Sequence, residues 1–180
     1  ELGNVVLAID AGRAPLAAGY FLGYVDRGQY NGTTLYRCAS FDGGSAPQLV
    51  QGGLLQGALT SSQPIDPADY GVPSLLQDWE TTEQSGFRHR RGSISLARDL
   101  LDTGYVIPEI VFSLRDIPRM NAGGNWRPDG QGFPVIGEVV SGLEVIDAAS
   151  RTEREGATSI DFLQGQILSN PVTITRVYRR

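Results

Sequence analysis

Lysine is missing altogether: all 15 basic residues among the 180 are arginine, a compositional bias of the source rather than a functional signal. A single cysteine, Cys38, excludes an intramolecular disulfide and any multi-cysteine metal cluster. A single histidine, His89, leaves little for a transition-metal site. It lies in RHRR, which reads as a solvated basic cluster. Nothing in the contexts of Cys38 and His89 suggests that they meet as a nucleophile–base pair. No run approaches the roughly 18 apolar residues a membrane span requires. The net charge of −5 gives no electrostatic reason to expect nucleic acid. The first residue is Glu1 rather than methionine, so a removed export signal is one expectation.

What is present is an ordinary globular mixture, 41% hydrophobic and 19% charged, over a length that suits one domain spanning residues 1–180. GNVVLAID (Gly3–Asp10) reads as a strand, and Pro15 opens a helical pattern carried by Leu16, Tyr20, Phe21 and Tyr24, with Gly28 closing it. Asn31-Gly32 signals a turn before the strand TTLYRC, and LVQGGLL is a further strand. From Thr60 to Gly86 the chain reads as loop, with a helical turn near Leu75. GSISLAR, EIVFSL and FPVIGEVV are strand-like, SGLEVIDAASR is a helix capped by Ser141, and NPVTITRVY is a closing strand. MNAGGNWRPDGQG is loop by composition. Many short strands and only two convincing helices disfavour a doubly wound parallel sheet. The order fits a mainly β fold, a closed antiparallel barrel with a helix at each end, which leaves no strand edge exposed.

LYRCASFDGGSAPQLVQGG places an arginine and a glutamine on either side of a glycine-rich loop. Alone, an arginine at a strand end is ordinarily a solvated charge. The surrounding motifs change that. Ala14-Pro15, GQYNGTTLYR, Val50–Gly53 (VQGG), Pro64-Ile65, GSISLAR, EIVFSL and GFPVIGEVVSGLEVID follow one another in the order and spacing of the cyclophilins. From about Gly3 to Val177 the chain resembles these peptidyl-prolyl cis–trans isomerases of eight-stranded-barrel type, above all their bacterial branch. The resemblance implies that Arg37 is the catalytic arginine and Gln51 its partner, both facing a shallow groove. It implies a proline pocket lined by Leu49, Val111 and Met120 with Phe133 at the rim, and backbone-binding positions at Ala97, Arg98 and Glu109. Gly52 and Gly53 would allow a bound peptide to approach closely. No metal or cofactor is implied, and the partners are proline-containing polypeptides met by a monomer. Similarity to exported proteobacterial members points to the periplasm, with the cytoplasm as alternative.

Several positions depart from the family pattern. Of the two usual pocket phenylalanines one position reads as Gln48 or is displaced by the loop and the other is Val111; Arg119 stands where an aromatic is usual, Glu109 where glutamine is common and Arg98 where asparagine is common. Exchanging an aromatic for valine forfeits part of the roughly 1.5–3 kcal/mol from burying a large side chain, so reduced activity is expected. Trp79 and Trp126 carry no assigned role. Two other readings stay open: a non-catalytic module that holds proline-containing segments and, behind it, a ligand-binding barrel with a hollow lumen.

Overall fold

Four of the six strand pairings among the described residues join strands that are not consecutive in the chain, and the other two join consecutive ones. The structure, a computed structural model, describes residues 2–41, 46–57, 75–99 and 104–180. Its strands are β1 (Val6–Ile9), β2 (Thr34–Ala39), β3 (Leu49–Gly53), β4 (Ser93–Arg98), β5 (Val106–Ser113), β6 (Val135–Ser141) and β7 (Ile167–Thr173). Accompanying helices among the described residues include α1 (Pro15–Asp26), the four-residue α2 (Thr82–Ser85) and α3 (Leu143–Ser150). All pairings are antiparallel, in the order β1-β6-β4-β5-β3-β2-β7.

The sheet is mainly β as the sequence indicates, but among the described residues it is open and seven-stranded, not a closed eight-stranded barrel. β1 and β7 are its two edges. β7 pairs with β2, and the chain beyond it runs along the turn before β2 to the end of α1. Ile174 exchanges backbone bonds with Gly32 and Thr33, the Val177 amide donates to Asn31 Oδ1, and Arg179 pairs with Asp26 at the end of α1. The segment read as one closing strand is therefore half strand and half tail.

Side-chain alternation sends each central strand's residues to two sides. Toward α1 and α3 go Val50, Ile94, Leu96, Ile110 and Phe112, which pack with Phe21, Tyr24 and Ile146. Leu49, Ala97, Ile107 and Val111 point the other way and form a second apolar cluster with Met120 and Phe133. β2 is irregular between Leu35 and Arg37: Leu35 pairs with Gly52, Arg37 with Gln51, and Tyr36 is the extra residue. Such a bulge lets Leu35 join the helix-side core while Arg37 faces the other side, although the two are two positions apart.

Local details refine the helix readings. α1 starts at Pro15, its free Leu16 and Ala17 amides donating to the Glu80 carboxylate, and Gly28 adopts the left-handed conformation just past its end. Leu16 is 49% exposed, so the buried stripe is Ala17, Ala18, Phe21, Tyr24 and Val25. Ser141 closes β6 instead of capping α3, whose cap is left-handed Gly142; its missing Cβ leaves room for the Asn4 carbonyl. Leu76 forms an isolated bridge with Val106 where a helical turn was expected. Pro64 and Ile65 lie outside the described residues.

Candidate active site

Strand register assembles one row across four neighbouring strands: Arg37 opposite Gln51, Gln51 opposite Val111, and Val111 opposite Ser95. Arg37, partly exposed, uses three N–H groups within the protein. Nη1 donates to Gln51 Oε1 at 2.8 Å, while Nε and Nη2 donate to Gln166 Oε1 at 3.0 and 2.7 Å. Five donors are available on a guanidinium, so among the described residues two stay uncommitted, one on each terminal nitrogen. Burial pushes the guanidinium down to about 10, against the nearby Tyr36 and Glu109, which leaves it charged at neutral pH.

Behind the arginine lies a buried polar group. Gln51 is 4% exposed; its Nε2 donates to Tyr36 Oη at 3.3 Å and Glu109 Oε2 at 3.4 Å. Tyr36 donates to the same Glu109 oxygen, and Glu109 Oε1 accepts the Leu55 amide at 2.7 Å. Burial raises the Glu109 carboxyl to about 7, opposed by the hydrogen bonds it accepts from Tyr36, Leu55, Gln51 and Leu54. With both ends of its amide engaged, Gln51 holds the arginine rather than reaching outward. Gly52 and Gly53 are required by the protein's own packing. A Cβ on Gly52 would lie 2.3 Å from the Thr34 carbonyl, and one on Gly53 2.5 Å from Glu109 Oε1.

Beside the arginine, Leu49, Val111, Met120 and Phe133 belong to one apolar cluster that also takes in the Ala97 side chain, and each is less than a tenth exposed. Phe41 and Trp126 cover it. Their rings meet edge-on with centroids 4.1 Å apart, and Trp126 also meets Phe133 at 6.1 Å. Arg119 lies 5.0 Å from the Trp126 ring and donates to the Phe41 carbonyl; the Arg37 guanidinium is 5.6 Å from the Phe41 ring. Two side chains stand apart. Glu109 is wholly buried behind Gln51, and the Arg98 guanidinium is bound to Asp129 and the Gly132 carbonyl, pinning the loop that carries Trp126.

Sequence reading missed Gln166, Phe41, Tyr36 and Trp126. Gln166 precedes an edge strand in a polar stretch with no motif around it, and only the β2–β7 pairing brings it to Arg37. His89 is not a solvated charge: it is 1% exposed, its backbone and Nδ1 both meet Asn121 Oδ1, and its ring packs edge-on against Phe133. Burial lowers it to about 4. Cys38 joins the opposite, helix-side core, its thiol near the Ser150 carbonyl and pushed up by burial to about 11, so the two do not form a nucleophilic pair.

The profile of the family described as cyclophilin type peptidyl-prolyl cis-trans isomerase/CLD matches residues 1–179. The chain belongs to the cyclophilin family. Over 153 residues it is 28% identical to peptidyl-prolyl cis-trans isomerase A of Dickeya dadantii, covering 85% of this chain and 69% of that protein. A peptidyl-prolyl cis-trans isomerase of Streptomyces antibioticus is 26% identical over 146 residues, 81% of this chain and 76% of that one. The fold resembles that of a Cryptosporidium parvum cyclophilin crystallised in the presence of the dipeptide Ala-Pro. Its TM-score is 0.62 at 18% identity, with 96% of this chain and 94% of that chain covered. Within this cyclophilin the described residues contain no group of three or more histidine, cysteine or carboxylate side chains able to hold a metal. No described helix is long and apolar enough to cross a membrane.

Proposed function

We propose that this cyclophilin accelerates rotation about X–Pro peptide bonds, with Arg37 as its catalytic residue. The observation that carries this reading is the guanidinium itself: braced by Gln51 and Gln166, partly exposed, with two donors uncommitted beside an apolar cluster.

Amide resonance sets a rotation barrier of about 18–20 kcal/mol. As the X–Pro bond twists, the nitrogen lone pair localises and becomes a hydrogen-bond acceptor. A charged donor held at that nitrogen interacts more strongly with the twisted amide than with the planar one, which is the condition for lowering the barrier. The free N–H on one terminal nitrogen serves the proline nitrogen, and the other steadies the proline carbonyl. Leu49, Val111, Met120 and Phe133 seat the pyrrolidine ring, and the backbone of Ala97, Arg98 and Glu109 borders the peptide. Rotation moves no electrons between molecules and requires no cofactor.

Removing one preorganised donor typically costs about 10²–10³ in rate, so Arg37→Ala should lose that much kcat/KM in an exchange assay on a proline peptide while keeping its unfolding transition. Peptide binding by the wild type without acceleration would instead support the module reading, which the covered apolar cluster favours. Valine at position 111 and the Phe41–Trp126 cover both argue for activity below that of a member with an open aromatic pocket. A periplasmic location is part of the proposal, and fractionation of the source cells checks it.

A further inference from the structure

We infer that Glu109 is a positioning residue: its ionised carboxylate fixes the orientation of the Gln51 amide and, through it, the aim of Arg37. The inference rests on the isomerase reading above.

The geometry is a relay with one direction. An ionised carboxylate only accepts hydrogen bonds. Glu109 Oε2 therefore faces the Tyr36 hydroxyl proton and the Gln51 NH2 group, which turns Gln51 Oε1 toward Arg37 Nη1 at 2.8 Å. A neutral carboxyl carries a proton on one oxygen. With the Leu55 amide already on Oε1, that proton goes to Oε2 and points at Tyr36 Oη. The Tyr36 proton then turns toward Gln51, whose oxygen must rotate inward to accept it. Rotation puts Gln51 Nε2 against Arg37 Nη1, donor facing donor, and the arginine loses a brace.

Tyr36 and its bulge partner Arg37 reach Gln51 together because the extra residue in β2 brings consecutive side chains to one side. The charged and titratable groups facing Glu109 are Tyr36 and Arg37 from β2 and Tyr30 from the turn ahead of it; β3 and the turn after it supply Gln51 and the Leu54 and Leu55 amides. Arg98 on β4 is bound to Asp129 instead. Burial places the carboxyl at about 7, so both forms of the relay are reachable near neutrality.

The test measures isomerisation of a proline peptide by NMR exchange across pH for wild type, Glu109→Gln and Tyr36→Phe, and follows the Gln51 side-chain amide signals in the free proteins. A glutamine at 109 can donate as the neutral carboxyl does. At about pH 8, Glu109→Gln should show kcat at least about tenfold below wild type with KM unchanged, the effect of one lost hydrogen bond from a charged donor. At about pH 5.5 the two should match, and only the wild-type Gln51 signals should step between these values, with a midpoint near 7. Tyr36→Phe removes a bond that lowers the Glu109 value and should move that midpoint upward; it gives an independent reading where Glu109→Gln folds poorly. Wild-type kcat in Glu109→Gln at the higher pH, a Gln51 signal flat with pH in the wild type, or an unmoved midpoint in Tyr36→Phe each overturns the inference. Absence of turnover in every protein while the Gln51 signal still steps refutes the isomerase reading and leaves the relay standing.

Discussion

On the helix side of β4, Ile94 and Leu96 are fully buried among aliphatic and aromatic neighbours from α1, α3 and β5. One residue away, Ser95 and Ala97 face the other side, where the Ser95 hydroxyl has no hydrogen-bond partner among the described residues. Both sides of these strands exclude water, but they are roofed differently. Two helices close the first. Loop residues close the second, with Phe41 and Trp126 held by ring edges and one arginine. Burial alone does not separate core from site; what separates them is how easily the covering layer can leave.

The largest expected effect breaks the helix side. Ile94→Ala should cost about 2–5 kcal/mol in chemical denaturation while leaving kcat/KM of the folded fraction near wild type. If activity falls in step, the two sides are one mechanical unit and the contrast fails.

Next comes the buried ion of the site side. The Glu109 carboxyl stands at about 7 when folded against 4.5 as its reference, so its favourable contribution is complete below 4.5 and lost as pH rises through 7, a penalty of roughly 3 kcal/mol at alkaline pH. His89 acts with the opposite slope: lowered from 6.5 to about 4, it contributes stability above 6.5 that is lost as pH falls toward 4. In the wild type these slopes oppose each other between 4.5 and 6.5. Glu109→Gln should unmask the histidine: urea titrations across pH should show stability climbing between 4 and 6.5 and no alkaline decline.

Smaller effects sharpen the contrast. Gln166→Ala frees Nε and one terminal nitrogen of Arg37 and should lower kcat about tenfold, with an unfolding midpoint close to wild type. Trp126→Ala removes an edge-on aromatic pair of about 1 kcal/mol and should lower the KM of a proline peptide by about five-fold, because less of the population has its apolar cluster covered. An increased KM would make Trp126 a wall of the binding site rather than its cover.

The helix-side core was legible from residue pattern, since β4, β5 and α1 carry periodicities that packing enforces. Arg37, Gln51, Leu49, Val111, Met120 and Phe133 came instead from motif order, and the row joining Arg37, Gln51 and Val111 is a consequence of register that no single segment encodes. Long-range pairing hid the rest. Gln166 reaches Arg37 across 129 positions of chain, and the Tyr36–Glu109 bond spans 73. His89 misled because three arginines surround it, yet its hydrogen bonds to Asn121 draw it inside. The closing strand was overread because its alternation continues past the point where the backbone leaves the sheet.

The irregularity between Leu35 and Arg37 has a heritable consequence. Odd-numbered Leu35 and even-numbered Cys38 both look inward, so the parity of β2 flips inside a four-residue stretch. Deleting Tyr36 would restore simple alternation and leave Arg37 opposite Gln51, but would remove the hydroxyl that Gln51 and Glu109 share. Pairing Tyr36 in the ladder instead, by one added residue in the facing strand, is what would put Arg37 on the side of Leu35 and burden the interior with a charge.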